Sequence, residues 1–448
     1  MPLMEFETRR VERASYGAFF VGQNIIYFLM LQFLNLFYTD VVGIGAAAVG
    51  ILFFVARTWD AVNDPILGSI VDRADFKGGK FLPWIKMVNI ALPFMTALLF
   101  INPGWGAAGN LAYAYATYIV WGMVYTLCDV PIFALSTAMT KNPNERVVLL
   151  TWGRVAALLA GAIIAGTGMP LIEAMGWTPV ALSLSIVAMI FMLPIRFFAI
   201  ERIQRTNQGH PTVSETMLYL RSHRPMIVLY LALLAAFATN TSLVATNYFA
   251  IYNLGGGEAT WVAPLLLSQL APMFVLAFML PWLIRRIGKR RIYIWGSIFG
   301  AVFGLVQYFI GYDNVTTVIV LNALKSTGLF LPLLLLGMFS ADFVEYGQYH
   351  QGRRLEGIAF SIQTFATKFT QAVAVGVGGL LLSMYGYVPN VAQSEDTLKG
   401  IFALYTLFPS FGALASAWIM YQFYNLHETE VQDMIDVDVE RLAAEHNI

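Results

Sequence analysis

Apolar side chains arrive along this chain in long runs. They cover roughly residues 15–38, 44–72, 82–102, 108–138, 150–172, 177–199, 225–253, 259–284, 291–311, 316–341, 356–386 and 400–424, with short polar or basic stretches between them. About 20 apolar residues are what a helix needs to cross a hydrocarbon core of roughly 30 Å. A helix also satisfies its own backbone groups where no water can reach them. The pattern therefore predicts an all-α integral membrane protein with twelve transmembrane helices.

The polar breaks are not alike. Arg9, Arg10 and Arg13 precede the first run. Arg73, Lys77, Lys80 and Lys86, then Lys141 and Arg146, then Arg196 through Arg224, Arg285 through Arg291, and Arg353 with Arg354 follow the even-numbered runs. The opposite breaks carry only Lys399. Loops rich in Lys and Arg stay on the cytoplasmic side, so both termini are expected there.

The longest interruption, "ERIQRTNQGHPTVSETMLYLRSHRP" at 201–225, parts the runs six and six. It predicts two six-helix bundles, 1–200 and 226–424, joined by a cytoplasmic linker over 201–225 and followed by an acidic cytoplasmic tail over 425–448. A faint echo links the halves: "VDRADFKGGKFLPWI" follows the second run and "IRRIGKRRIYIWG" the eighth, each a basic turn with Gly-Lys. Any tight cytoplasmic turn favours those residues, so about half of the echo is generic. Parallel six-helix repeats are one recurrent transporter plan, with the substrate near midplane between the halves.

Composition narrows the field. Of 448 residues 58% are hydrophobic and 12% charged, far from the roughly one quarter charged in soluble domains. Lys plus Arg and Asp plus Glu both number 27, a balance with no footprint for nucleic acid. The polar, charged N-terminus does not read as a cleavable signal peptide. Cys128 is the only cysteine, which excludes disulfides and thiolate metal sites within one chain. His210, His223, His350, His427 and His446 all fall in predicted cytoplasmic segments, against a buried histidine relay or a haem. With no histidine near a membrane serine, no paired histidines at metal spacing and no phosphate-cradling Gly-rich loop, no enzyme is expected.

Away from the ends of the runs and the basic turns, few ionisable residues remain: Arg57, Asp60, Asp64, Asp129, Arg154, Lys325 and Lys368. Each costs roughly 2.5–3.5 kcal/mol at a helix centre, which makes it a functional candidate. In "RTWDAVNDP", residues 57–65, the offsets of three, four and seven put Arg57, Asp60, Asn63 and Asp64 on one helix face. Two carboxylates about 6 Å apart on that face cannot both stay ionised in a low dielectric without a cation. Na+ or a proton resolves the conflict; Arg57 as a permanent counter-ion would satisfy one carboxylate and leave the other. In "YTLCDVP", 125–131, Thr126 and Asp129 point the same way beside Pro131, which loosens the helix. Thr126 can add a hydroxyl oxygen to a cation site, and Asp129 can accept hydrogen bonds from a polyol. Tyr125 offers a ring and a hydroxyl, or packs. The neutral oxygens of Asn63 and Thr126 favour sodium, although protons can use the same carboxylates.

These residues resemble a known family. "FFVARTWDAVNDPILGSIVDRADFKGGKFLPWI" is similar to the signature of the glycoside-pentoside-hexuronide:cation symporters, the melibiose carrier family within the major facilitator superfamily. The likeness continues through "FYTDVVGI" at 37–44, "YTLCDVP" at 125–131, "ADFVEYGQYHQGRRLEGIAFSIQTFATK" at 341–368 and "YGYVPNVAQSEDTLKGI" at 385–401. It implies a major facilitator-type fold and cation-coupled uptake of a sugar, glycoside or hexuronide by alternating access. It further implies a monomer among the lipids of a bacterial inner membrane, with no cofactor beyond a coupling Na+ or H+. Carried over by position, the family's cation site falls on Asp60, Asn63, Asp64 and Thr126, with the ion at Asp60 and Asp64. Its sugar-contacting acid falls on Asp129, beside Tyr125; its fifth-helix arginine on Arg154; its eleventh-helix polar face on Gln363, Thr364 and Lys368. Arg57, Asp72, Arg73, Lys80 and Arg354 are expected to form a charge network tied to conformational change.

The departures from the family pattern carry information. The Lys-Asp pair of the melibiose carrier's first helix is Gln23-Asn24 here, which leaves Asn24 as an uncharged sugar ligand. Phe133 and Leu333 replace tryptophans, and Lys325 has no counterpart. A pocket that loses a carboxylate and gains an ammonium leans toward an anionic substrate such as a hexuronide. Lys325 either faces that pocket or snorkels to the outer interface. Two alternatives keep the sequence and change the role: transport of an amphipathic lysolipid, as in distant relatives, or a non-transporting receptor, for which Asp60 and Asp64 would be dispensable.

Overall fold

The computed structural model describes residues 6–73, 76, 78–140, 142–202, 223–351, 356–434 and 436–437. Among them run twelve long helical stretches and no strand. They are α1 (Arg10–Leu36, continued by a π turn over Phe37–Val41), α2 (Ala46–Arg73), α3 (Leu82–Leu99), α4 (Gly106–Met139), α5 (Pro143–Met175) and α6 (Trp177–Met192, with a short extension Pro194–Phe198). The second six are α7, α8 (Val262–Ile287), α9 (Lys289–Ile310), α10 (Val315–Gln351), α11 (Glu356–Met384) and α12 (Glu395–Phe423). Helix α7 is composite: Arg224–Ala235, a 3-10 segment Ala236–Asn240, Thr241–Tyr248 and a π turn Phe249–Leu254.

Ten of these are long and apolar enough to cross a membrane, and α8, bent by 57° between Val262–Leu276 and Phe278–Ile287, makes an eleventh. The twelfth, α2, is the most charged, carrying Arg57, Asp60, Asp64, Asp72 and Arg73. Large apolar side chains lie on the outside: Phe94 is 61% exposed, Phe278 81% and Trp418 60%. Water would not tolerate such a surface; hydrocarbon does.

The chain gathers into two compact units. The first takes Met1–Gln208, Ala250–Leu267 and Leu382–Gln393; the second takes Gly209–Phe249, Ser268–Leu381 and Ser394–Ile448. In the first, α1 packs on α5 and α6, α3 on α4 and α6, and α2 on α4. In the second, α7 packs on α12 and α9 on α10 and α12, so three pairings recur six helices later. Small residues permit the closest crossings, as membrane helices require. A Cβ on Gly22 of α1 would lie 2.4 Å from the Ala188 carbonyl oxygen of α6, and one on Gly328 of α10 would lie 2.2 Å from the Gly300 nitrogen of α9.

Both units start one helix on a distant carboxylate. Glu201, past the end of α6, accepts the backbone N–H groups of Lys80, Phe81 and Leu82 at 2.6 to 2.8 Å. Glu428, past the end of α12, accepts the backbone N–H of Lys289. The orphan donors and positive dipole end of α3 and α9 are thereby satisfied.

Candidate functional site

The first unit brings the acids of α2 against one face of α4. Thr126 Oγ1 lies 2.7 Å from Asp64 Oδ1 and donates to it. One turn earlier on each helix, Asp60 meets Gly122: a Cβ there would sit 2.5 Å from Asp60 Oδ1. The absent side chain of Gly122 is thus what lets the carboxylate lie flat on α4. Arg57 Nη1 is 3.6 Å from Asp60 Oδ2, with both side chains almost fully buried. Asn63 is 3% exposed, and its amide nitrogen is buried without a hydrogen-bond partner. A half-turn of that amide would put an oxygen in the same place.

This donor set is all oxygen, with two carboxylates, a hydroxyl whose lone pairs are unspent and an unpartnered amide. Hard, weakly held cations suit it better than a thiophilic or imidazole-seeking metal. Among the described residues no group of three or more His, Cys, Asp or Glu could hold a metal ion.

An aromatic column closes the site. Tyr118 stacks on Trp121, Trp121 on Tyr125 at 5.0 Å between ring centres, and Tyr125 on Tyr27 at 5.3 Å. The Arg57 guanidinium stands 6.0 Å over the Tyr118 ring. Trp121 is fixed in turn by its Nε1–H, donated to Thr96 Oγ1 at 2.9 Å. Tyr125 therefore packs and bonds at once: its hydroxyl lies 3.4 Å from Gln23 Nε2.

Gln23 also donates to Asp129 Oδ1 at 2.9 Å, and its own Oε1 is buried without a partner. Its neighbour Asn24 spends its amide N–H on the Phe20 carbonyl of the same helix at 2.8 Å. The polar residue of α1 that reaches the α4 acid is thus Gln23, not Asn24. Arg154 lies exposed on α5 and makes no hydrogen bond or ion pair among the described residues.

In the second unit, Gln363 and Lys368 are half-buried and Thr364 is exposed along α11; Gln363 Oε1 is a buried acceptor without a partner. Lys325 is fully buried. Its Nζ donates to the Tyr405 carbonyl at 2.9 Å and to Ser242 Oγ at 3.3 Å, and stands 3.6 Å over the Tyr405 ring. The ammonium is therefore turned into the bundle and does not snorkel. Of the expected charge network, Arg57 pairs with Asp60 and Lys80 reaches Glu201 through its backbone N–H. The side chains of Asp72 and Arg73, and Arg354 as a whole, lie outside the described residues.

The family model for MFS/sugar transport proteins matches residues 15–428. The chain belongs to this family. An isoprimeverose transporter of Lactiplantibacillus pentosus is 31% identical to it over 439 residues, spanning 95% of this chain and 91% of that one. The glucuronide carrier protein homolog of Escherichia coli (strain K12) is 26% identical over 430 residues, spanning 93% and 92%. The crystal structure of the nucleoside transporter NupG covers 93% of this chain and all of its own at a TM-score of 0.68 and 11% identity, a likeness of fold alone. The glycoside-pentoside-hexuronide resemblance and the major facilitator architecture thus hold, and the protein is a multi-pass membrane transporter, not an enzyme.

Three features of this family member escape a reading of the residues alone: Gly122, the clamp of Gln23 on Asp129, and Asp40. The last sits in the π turn after α1, where Tyr252 and Tyr387 donate to its two carboxylate oxygens and Thr39 to one of them. A carboxylate at the end of an apolar run looks like the start of a loop, although "FYTDVVGI" and "YGYVPN" both lie in the stretches that carry the family likeness.

Proposed function

We propose that the protein is a secondary active symporter of a bacterial inner membrane, both termini cytoplasmic, coupling Na+ entry to uptake of a sugar or glycoside by alternating access. The observation that carries this reading is the seating of two α2 carboxylates on α4, Asp64 by Thr126 and Asp60 by Gly122. Two like charges one helical turn apart, with Asp60 buried and Asp64 half-buried, form an oxygen-rich face whose repulsion a bound cation relieves. The orphaned amide of Asn63 and the hydroxyl of Thr126 favour Na+, because a proton needs no shell of neutral oxygens. Binding of ion and sugar is linked, so each tightens the other by the same factor. Asp129, held by Gln23 beside the Tyr125 ring, is the acceptor for sugar hydroxyls. Relatives named for isoprimeverose and for a glucuronide support a small sugar-type substrate.

The test is uptake into proteoliposomes of a labelled glucuronide and a labelled galactoside, with and without an inward Na+ gradient, for the wild type and Asp64→Asn. Na+-driven uptake lost in the variant is expected. Uptake driven by a pH gradient and indifferent to Na+ would hand the same carboxylates to protons. Full coupling in Asp64→Asn would remove them from the mechanism.

A further inference from the structure

The second unit contains an open cavity whose polar wall is Thr239, Asn240, Ser242, Gln269, Ser297 and Ser326. None of its lining residues is charged. The 3-10 segment Ala236–Asn240 forms part of it, interrupting α7 where the cavity lies. A mid-helix 3-10 stretch of this kind marks either a functional hinge or local strain.

Immediately behind Ser242 stands Lys325. Its stem runs along the bare ridge of α9, 3.4 Å from where a Gly304 Cβ would be. Among the described residues it has no carboxylate partner; its neighbours are a carbonyl, a hydroxyl and an aromatic face. An ammonium so enclosed is incompletely compensated by neutral dipoles.

Hydrogen-bond direction shows where the compensation is sought. An ammonium only donates, so Ser242 Oγ is the acceptor and its own O–H must point elsewhere. The hydroxyls of Thr239, Thr241 and Thr246 on α7 turn back to backbone carbonyls, but no acceptor among the described residues takes the proton of Ser242. A hydroxyl already accepting from an ammonium is polarised into a better donor.

Gln269 supplies the complement. It is 2% exposed, and its Nε2 donates to Thr246 Oγ1 at 2.7 Å. Thr246 spends its proton on the Ser242 carbonyl, which fixes the sense of that amide: nitrogen toward Thr246, oxygen away. Oε1 of Gln269 is consequently a buried acceptor without a partner, on a residue that borders the cavity. A donor backed by positive charge and a residue carrying an orphan acceptor border one cavity.

We infer that this cavity seats the carboxylate end of a sugar acid: Ser242 donates to the carboxylate with Lys325 behind it, and Gln269 Oε1 accepts a hydroxyl of the same molecule. The inference rests on the sugar-transport reading and names its substrate class. Lys325 acts through Ser242 and is a positioning and charge-supplying residue.

The test uses the purified full chain in detergent and equilibrium dialysis with two matched probes, labelled methyl glucuronide and methyl glucoside. The readout is the ratio of their affinities for the wild type, Ser242→Ala, Lys325→Gln and the double variant. The wild type should prefer the glucuronide, and each single variant should lower the ratio about tenfold to a hundredfold, the range for losing a hydrogen bond to a charged group. The double variant should lose no more than the worse single, because the two residues act as one device. Equal losses for both probes, an unchanged ratio in Ser242→Ala, or a wild type that does not prefer the glucuronide each overturns the seat. Because Ser242→Ala removes a single oxygen, it stands as a test even where Lys325→Gln does not fold. Glucuronide preference without any Na+ dependence of uptake would sink the coupling and leave the seat standing; Na+-driven glucoside uptake without that preference would do the reverse.

Discussion

Gly122→Ala probes the cation site at its least conspicuous member. The new methyl would lie 2.5 Å from Asp60 Oδ1, while real Cβ atoms essentially never come closer than 3.0 Å to such an atom. Asp60 has little room to withdraw, being 5% exposed and held by Arg57 at 3.6 Å. Either the carboxylate leaves its rotamer, at roughly 0.5–1.5 kcal/mol, or α2 and α4 spread, at roughly 1–3 kcal/mol. Spreading also stretches the Thr126–Asp64 hydrogen bond one turn along, so most of the cost should fall on the ion. A loss of about 1–2 kcal/mol in ion binding raises the Na+ concentration for half-maximal uptake about five- to thirtyfold. The assay is the Na+ dependence of sugar uptake in proteoliposomes, with Na+-induced thermal stabilisation of the purified protein as a readout independent of transport. Gly166→Ala is the control, since its methyl would meet Leu267 at an ordinary 3.5 Å. Wild-type Na+ dependence in Gly122→Ala, by both readouts, would show that Asp60 does not bind the ion on this face.

Three further outcomes are expected. Burial pushes the Glu145 carboxyl up, but hydrogen bonds from Thr8 and Thr140 and from the backbone of Thr8 and Glu7 outweigh it and hold the folded-state pKa below 4.5. A depressed carboxyl stabilises fully above its unfolded pKa and loses that contribution as pH falls through the folded one. The gap in Tm between the wild type and Glu145→Gln should therefore be level near neutrality and shrink below about pH 4.5; a gap that widens on acidification refutes the assignment. Asp40→Asn leaves one acceptor for the hydroxyls of Tyr252 and Tyr387 and should cost about 1–3 kcal/mol, read as a lowered Tm; an unshifted transition would strip that cluster of any part in stability. Glu201→Ala orphans three N–H groups where Glu428→Ala orphans one, so thermal unfolding should rank Glu201→Ala as the more damaging, and the opposite ranking contradicts the capping account.

Helix number, class and the α2 acids are legible in the chain because each leaves a local mark: a run long enough to span, or charges at helical offsets where no charge is cheap. Thr126 is legible for the same reason, as a hydroxyl one turn before an intramembrane acid. Gly122 is not, since its contribution is a side chain it lacks. Neither is the choice between Gln23 and Asn24. A shift of one residue turns a helical position by about 100°, and two adjacent amides in an apolar stretch of α1 leave open which of them faces α4. The direction of Lys325 is equally hidden, because its flexible stem permits both snorkelling and burial. What decides it is a ladder of Gly296, Gly300 and Gly304 on α9 meeting Gly328 on α10, which brings the helices close and clears a path for the lysine stem. That ladder is visible as "GSIFGAVFG", but its consequence for a residue on another helix is not.

The echo between the turns after α2 and α8 shows how a weak local signal becomes specific in three dimensions. Gly79 and Gly288 both take positive φ, at 108° and 85°, which any tight turn of this shape asks of glycine. That part is generic. The other part lies far along the chain. A Cβ on Gly79 would strike the Glu201 carboxylate at 2.7 Å, and one on Gly288 the Glu428 carboxylate at 2.9 Å. Each glycine is therefore required twice, for its backbone conformation and for the space it leaves to a capping acid. Since α3 packs on α6 and α9 on α12, each acid ties the exit of the last helix of its set to the start of the helix it packs against. A search for similar turns finds the glycines and lysines but not the acids, which stand more than a hundred residues away. Shared packing and a shared cap, more than the shared turn residues, are what relate the two sets of six helices.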